Sequence, residues 1–282
     1  MTSYTTRKLG RIRTIALATD GTRIGAGAER EAIFLCRTWK ARLVILHVIT
    51  VDTEQATFAH SEAATLRREI KEYIERLKNE AISNGIECTA VIEESYTPDT
   101  TIVKLAEKHR ADLIVMGRHE RSGLMRFLAG SVFSKIIGLG FPKVLVVPKD
   151  SRINVERILL ATDGSRFGNL ATEEALDLGE HCPLLKQLIV LSVAGRESEL
   201  QSARQRVEDT CRRIEAKNLS LECMPCALSG NPAEIITEMA SRHKVGMIIM
   251  GGHGRELSRL LMGHVTEKVI SLAPCAVLVV EK

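Results

Sequence analysis

Aromatic residues are scarce in this chain of 282, at 4% with a single tryptophan, so a core must be filled by aliphatic side chains. No apolar run reaches the roughly 18 residues needed to cross a bilayer, which speaks against a membrane protein. The N-terminal MTSYTTRKLGRIRT carries positive charge without the apolar stretch of a secretory signal, and a cytoplasmic location is expected. Seven cysteines are too few and too scattered for a disulfide scaffold and suit a reducing compartment. A net charge of +4 without a dense basic stripe gives no case for nucleic acid. Hydrophobic residues at 45% and charged residues at 26% are globular composition.

The chain repeats itself. TIALATDGT at 14–22 returns as RILLATDGS at 157–165, DLIVMG at 112–117 as GMIIMG at 246–251, and FPKVLVVP at 141–148 as APCAVLVV at 273–280. The copies stand 143 residues apart at the first pair and 132 at the last, too far for a solenoid repeat, so each copy is a domain. This divides the chain into 1–148 and 155–282, joined by the short polar linker 149–154 (KDSRIN).

Each half alternates apolar, β-rich runs with helical periodicity. Strands are expected near 12–18, 42–49, 87–92, 112–116 and 143–147, then near 156–161, 187–193, 220–227, 246–250 and 275–280. Helical patterns fill 25–39, 60–83, 99–109 and 130–139, then 169–180, 198–217, 232–243 and 263–272. Such alternation predicts an α/β fold with a doubly wound parallel sheet in each half. The third run of each half, CTAVIE and LECMPCAL, mixes polar and apolar residues and reads least clearly as strand. Pro98 and Pro232 suit the first turns of helices, and Asn84-Gly85 suits a left-handed cap after a long helix.

Ligands of doubly wound sheets bind beyond the carboxyl ends of the strands. Attention falls there on Asp20 and Asp163, on His47-Val48 and Ser192-Val193, and on the glycine loops opening at Met116-Gly117 and Met250-Gly251. No GxxxxGK[ST] occurs, and Gly25-Ala26-Gly27 lacks the third glycine of a dinucleotide fingerprint. The loops read instead MGRHERSGLMRFLAGS at 116–131 and MGGHGRELSRLLMGH at 250–264.

ATDG[ST] after the first strand, HV at the end of the second, MGxxG after the fourth and GSV opening the last helix resemble the universal stress protein family, once per half. The resemblance implies five parallel strands in order 3-2-1-4-5, the adenine-nucleotide alpha-hydrolase-like arrangement, in two tandem copies. ATP-binding members carry Gly, two residues, Gly, nine residues, then Gly-Ser or Gly-Thr. Glycines admit phosphate oxygens close to backbone amides, and the closing pair opens a helix whose N-terminus favours an anion. By that resemblance the cofactor is ATP, or ADP or AMP, with Mg²⁺ as a companion. Asp20 and Asp163 face the sugar or adenine, and Val48 and Val193 offer backbone groups to the adenine edge. Met116, Gly117, Gly130 and Ser131 form one phosphate loop; Met250, Gly251, Gly254, Gly263 and His264 form the other.

Neither loop keeps the whole pattern. Glu120 stands where the second glycine belongs in the first half, with nine residues between it and Gly130. A carboxylate about 4 Å from a phosphate charge costs roughly 4 kcal/mol at an effective dielectric near 20. Arg118 and Arg121 flank Glu120 and offset part of that charge. The second loop keeps Gly251, Gly252 and Gly254, but its spacer is eight residues and His264 replaces the serine. On loop integrity the second half is the better candidate by a small margin. Single-domain relatives pair through their last strands, so the two halves are expected to form an intramolecular pseudo-dimer, with room for a homodimer of chains. A ligand-free partner-binding module and a weak Mg²⁺-dependent ATP hydrolase remain open beside the nucleotide-responsive regulator; no dedicated enzyme is expected.

Cys223-Met-Pro-Cys226 is a CxxC, the spacing of a redox pair or half a zinc site. On a strand, however, residues three apart face opposite ways, and packing is the simpler reading. His119 and His253 hold equivalent loop positions, where hydrogen bonding or solvation is simpler than metal ligation. His47 reads as a residue that orients a neighbouring loop.

Overall fold

The computed structural model describes residues 4–22, 25–51, 60–118, 132–217, 219–254 and 262–282, with the side chains of 60–64 excepted. The first half runs β1 (Thr14–Ala18), α1 (Ala26–Trp39), β2 (Arg42–Thr50), α2 (His60–Ser83), β3 (Cys88–Ser95), α3 (Pro98–Lys108), β4 (Leu113–Gly117), α4 (Val132–Gly138) and β5 (Lys143–Val147). The second runs β6 (Arg157–Ala161), α5 (Arg166–His181), β7 (Gln187–Ala194), α6 (Leu200–Ala216), β8 (Glu222–Ser229), α7 (Pro232–Arg242), β9 (Met247–Gly251), α8 (His264–Leu272) and β10 (Ala276–Val280).

The strands lie in the order β3-β2-β1-β4-β5-β10-β9-β6-β7-β8. Each half is thus a parallel 3-2-1-4-5 sheet. The two halves are not separate sheets. β5 and β10 pair antiparallel, with Leu145 opposite Leu278 and Val146 opposite Val277, and fuse ten strands into one mixed sheet. Both strands are buried along their whole length, and their pairing consumes two edges whose backbone groups would otherwise lie open.

Central strands are buried on both faces because helices cover both. Ile15 and Leu17 join one core layer, Ala16 and Ala18 the other, and each layer runs through both halves. β3 and β8 end the sheet and are only part-buried, which is why their sequences mix polar and apolar residues. Pro98 and Pro232 open α3 and α7, where a missing N–H costs nothing. Gly85, at φ 75°, ends α2. In α6 the buried residues Ala203, Val207, Cys211 and Ile214 recur at helical spacing.

The segments that lead into β1 and β6 cross over to the other half. Leu9 N–H donates to Glu174 Oε2 on α5 at 2.8 Å, and Ile153 N–H donates to Glu31 Oε2 on α1 at 3.0 Å. Glu31 and Glu174 are the same residue of the repeat, so the exchange is two-fold in its acceptors, with donors one residue apart in register. Lys143 on β5, buried, adds an ion pair to Glu174 Oε1 at 3.3 Å and donates to Thr6 Oγ1 at 2.7 Å. Residues 149–154 are therefore packed as well as connecting.

Candidate functional site at the carboxyl ends of the strands

β1 lies between β2 and β4, and β6 between β7 and β9, so strand order reverses at each. Asp20 and Asp163 follow these central strands, the position where such sheets bind ligands. Val48 and Val193 lie near the carboxyl ends of β2 and β7, and Met116-Gly117 and Met250-Gly251 end β4 and β9. Gly130 and Ser131, like His119 and Glu120, lie outside the described residues.

In the second half the motifs converge. Asp163 Oδ1 accepts the N–H of Ser165 at 2.9 Å, and Ser165 Oγ caps α5 by accepting the N–H of Gly168 at 3.1 Å. The other carboxylate oxygen faces the glycine loop: a Cβ built on Gly254 would lie 3.3 Å from Asp163 Oδ2. The loop's two ends are tied together by Gly263 N–H, which donates to Gly252 O at 2.9 Å. Thr266 Oγ1 donates to Gly251 O at 3.0 Å and fixes the first turn of α8. Gly263 caps α8 and His264 is its first, exposed residue.

Two features of this mouth were not foreseen. Arg206 on α6 lies across the Asp163 turn. Its Nε donates to Ser192 Oγ at 3.3 Å, and its Cδ would stand 2.6 Å from a Cβ on Gly164. Gly164 has φ 75°, so glycine is required there both by conformation and by Arg206. The sequence offered only a weak signal, an arginine next to the buried Val207 on a helix that reads as solvated. The second feature is Glu281, just beyond β10. It is buried, and both carboxylate oxygens lie 3.1 Å from His253 Nδ1. Its Oε1 would stand 1.5 Å from a Cβ on Gly252, so the loop passes directly over the carboxylate. Burial pushes the Glu281 carboxyl up to about 8. His253 is therefore a hydrogen-bonded residue, and it is buried against Phe167 rather than on the surface.

The first half differs. Asp20 Oδ1 accepts both the N–H and the hydroxyl of Thr22, each at 2.9 Å, which is a turn-capping role. His47 Nδ1 lies 3.0 Å from Thr19 O, so it holds the loop after β1. Burial shifts His47 downward, toward the neutral ring. Glu29 on α1 is buried at this mouth, taking hydrogen bonds at 2.6 Å from Thr19 Oγ1 and from the Tyr73 hydroxyl. Burial, then the Glu29 contact, raises the tyrosine. The expected offset of Glu120 falls outside the described residues, but Arg118 itself is described. Its Nη1 donates to Ile270 O and Ala273 O at 2.9 and 2.8 Å, the free carbonyls ending α8 of the other half.

The CxxC is divided between faces, as its spacing predicts: Cys223 packs on one core layer and Cys226 on the other. Cys223 is nevertheless in a disulfide, which was not expected, with Cys211 on α6, their Cα atoms 5.5 Å apart. The signal lay in the helical face of α6, where Cys211 shares the buried stripe. Asp177, Glu180 and His181 are close enough to share a metal ion. Each is already engaged: Asp177 by Gly10 N–H and Arg11, Glu180 by Lys217, and His181 Nδ1 by Asp177 O.

The model of the Universal stress protein family matches this chain twice, over residues 11–148 and 154–281. The chain belongs to the universal stress protein family. It is a tandem member, with one family domain in each half. A universal stress protein of Methanocaldococcus jannaschii is 31% identical over 142 residues, covering 49% of this chain and 83% of the relative. One of Thermus aquaticus is 30% identical over 132 residues, covering 44% of this chain and 96% of the relative. A crystal structure of a universal stress protein from Archaeoglobus fulgidus covers 97% of both chains with TM-score 0.78 at 18% identity, a likeness of fold. Among the described residues, no helix of this tandem universal stress protein is long and apolar enough to cross a membrane.

Proposed function

We propose that the second domain binds an adenine nucleotide of the ATP class and that the chain acts in the cytoplasm as a nucleotide-responsive regulator of a stress response. The observation that carries this reading is the meeting of Asp163 with Gly254, with Arg206 lying over the neighbouring Gly164. A carboxylate suited to ribose hydroxyls, backbone with no Cβ in the way, and a cation for phosphate share one mouth. Asp163 is also the carboxylate that a magnesium ion accompanying the phosphates would meet. The first domain is the weaker binder, because Glu29 adds a buried carboxylate to its mouth and Tyr73 stands where Arg206 would help.

Calorimetry of nucleotide-stripped protein with ATP, ADP and AMP tests this. One site per chain is expected, with affinity rising with phosphate count. No heat at millimolar nucleotide would overturn the reading and leave a partner-binding module. Turnover above the no-protein background would make the chain a hydrolase instead.

A further inference from the structure

The opposite end of the sheet holds an open cavity of about 820 Å³, between the leader before β1, the end of α1, and the carboxyl ends of α5 and α6. Six cations line it: Arg7, Lys8, Arg11, Arg13, Lys40 and Lys217. Its three carboxylates are already neutralised. Asp177 faces Arg11, Glu180 faces Lys217, and Glu173 faces Arg213 from outside the cavity. Arg7 is held by Asp112. Lys8, Arg13 and Lys40 have no ion-pair partner among the described residues. A surplus of unpaired positive charge in a concave space attracts anions.

The walls also have an apolar side. Trp39, the chain's one tryptophan, lines the cavity with Ile12 and Leu176. The indole Nε1 of Trp39 is buried without an acceptor among the described residues. The volume is that of a small-molecule site. The charge is not a by-product of the fold. The repeat places Glu156 where the first half has Arg13, and Glu156 is paired with Lys186 at 3.0 Å.

We propose that this cavity binds a small phosphate-bearing anion, held by Lys8, Arg13 and Lys40 with one face against Trp39. It lies at the amino ends of β1 and β2, away from the Asp163 mouth, and is a second site of different chemistry. The guanidinium fork of Arg13 suits a phosphate, and the indole suits an organic substituent.

Trp39 fluorescence reads occupancy directly. The probes are phenyl phosphate and inorganic pyrophosphate, titrated at constant ionic strength against a sodium chloride control. A saturable change is expected with either probe. A lower midpoint for phenyl phosphate assigns an organic ligand, and equal midpoints assign recognition of phosphate alone. Arg13→Glu and Lys40→Glu, both at exposed side chains, each raise the midpoint roughly tenfold or more, the loss of one charge-assisted contact. Gly254→Glu leaves it unchanged. Thermal melts confirm that the variants are folded. A response that sodium chloride reproduces, a midpoint unmoved in the Arg13→Glu/Lys40→Glu double variant, or loss of the response in Gly254→Glu would overturn the proposal.

Discussion

The two domains share one backbone plan, down to the proline that opens the third helix of each, while their strand-end mouths carry different charge. Where the first has buried Glu29, the second has Thr172, whose hydroxyl turns back to Gly168 O at 2.9 Å. Where Tyr73 lies near Gly21, Arg206 lies over Gly164. Where His47 holds the first loop, Ser192 takes the Arg206 contact. Arg118, at the position of Gly252, caps α8 of the second domain through its Nη1. The difference teaches that one backbone plan can carry two differently charged mouths, set by a handful of side chains on α1, α2 and their counterparts.

The comparison breaks most sharply at Gly254→Glu. The new carboxylate would stand beside Asp163 and any phosphate, a penalty of about 4 kcal/mol per close charge pair. ATP affinity in the second domain should fall about a thousandfold by calorimetry; unchanged affinity would place the nucleotide in the first. Next is the Cys211–Cys223 link, which closes a 12-residue separation and pins α6 under β8. Cys211→Ser should cost about 3 kcal/mol in urea unfolding. Cys88→Ser, at the matching register of the first domain, where Cys88 is a free thiol, should cost far less. If both cost the same, the domains do not differ in how their edges are held.

Arg206→Ala sharpens the comparison more gently. ATP binding should weaken by about 2 kcal/mol, the value of one charge-assisted contact, and AMP binding by less. Equal loss for both nucleotides would move Arg206 away from the distal phosphates. Per pH unit, the smallest effect is at Glu281. Its carboxyl is raised to about 8 from 4.5, so between those values the native chain keeps a proton that the unfolded chain has released. Stability from this group is complete below the lower value and is lost as pH rises toward the upper one. Wild-type Tm should fall by roughly 3 °C per pH unit more than that of Glu281→Gln across this window. Parallel profiles would show that Glu281 is ionised throughout.

Element positions were legible because buried parallel strands leave unbroken apolar runs, LVILHV and VLVVP among them, and because prolines and glycines mark the turns; strand order came only from the resemblance to the family. Asp163 and the second glycine loop were legible as motifs, and the structure brings them together. Three things were not. The leader exchange depends on Leu9 and Ile153 meeting Glu174 and Glu31, contacts between backbone and side chain that leave no periodicity. Arg206 reads as one more charge on a solvated helix until α6 is seen crossing the Asp163 turn. The disulfide joins a helix to a strand, whereas the spacing within CMPC drew attention to a pair that faces opposite ways.

The exchanged leaders and the β5–β10 seam have a consequence for how such a chain behaves at low abundance. Two separate subunits would meet only as often as their concentration allows. Here the tether holds each domain's counterpart at an effective concentration that dilution does not change. The seam no longer requires two identical surfaces, so the two mouths are free to diverge in sequence without the assembly losing its shape.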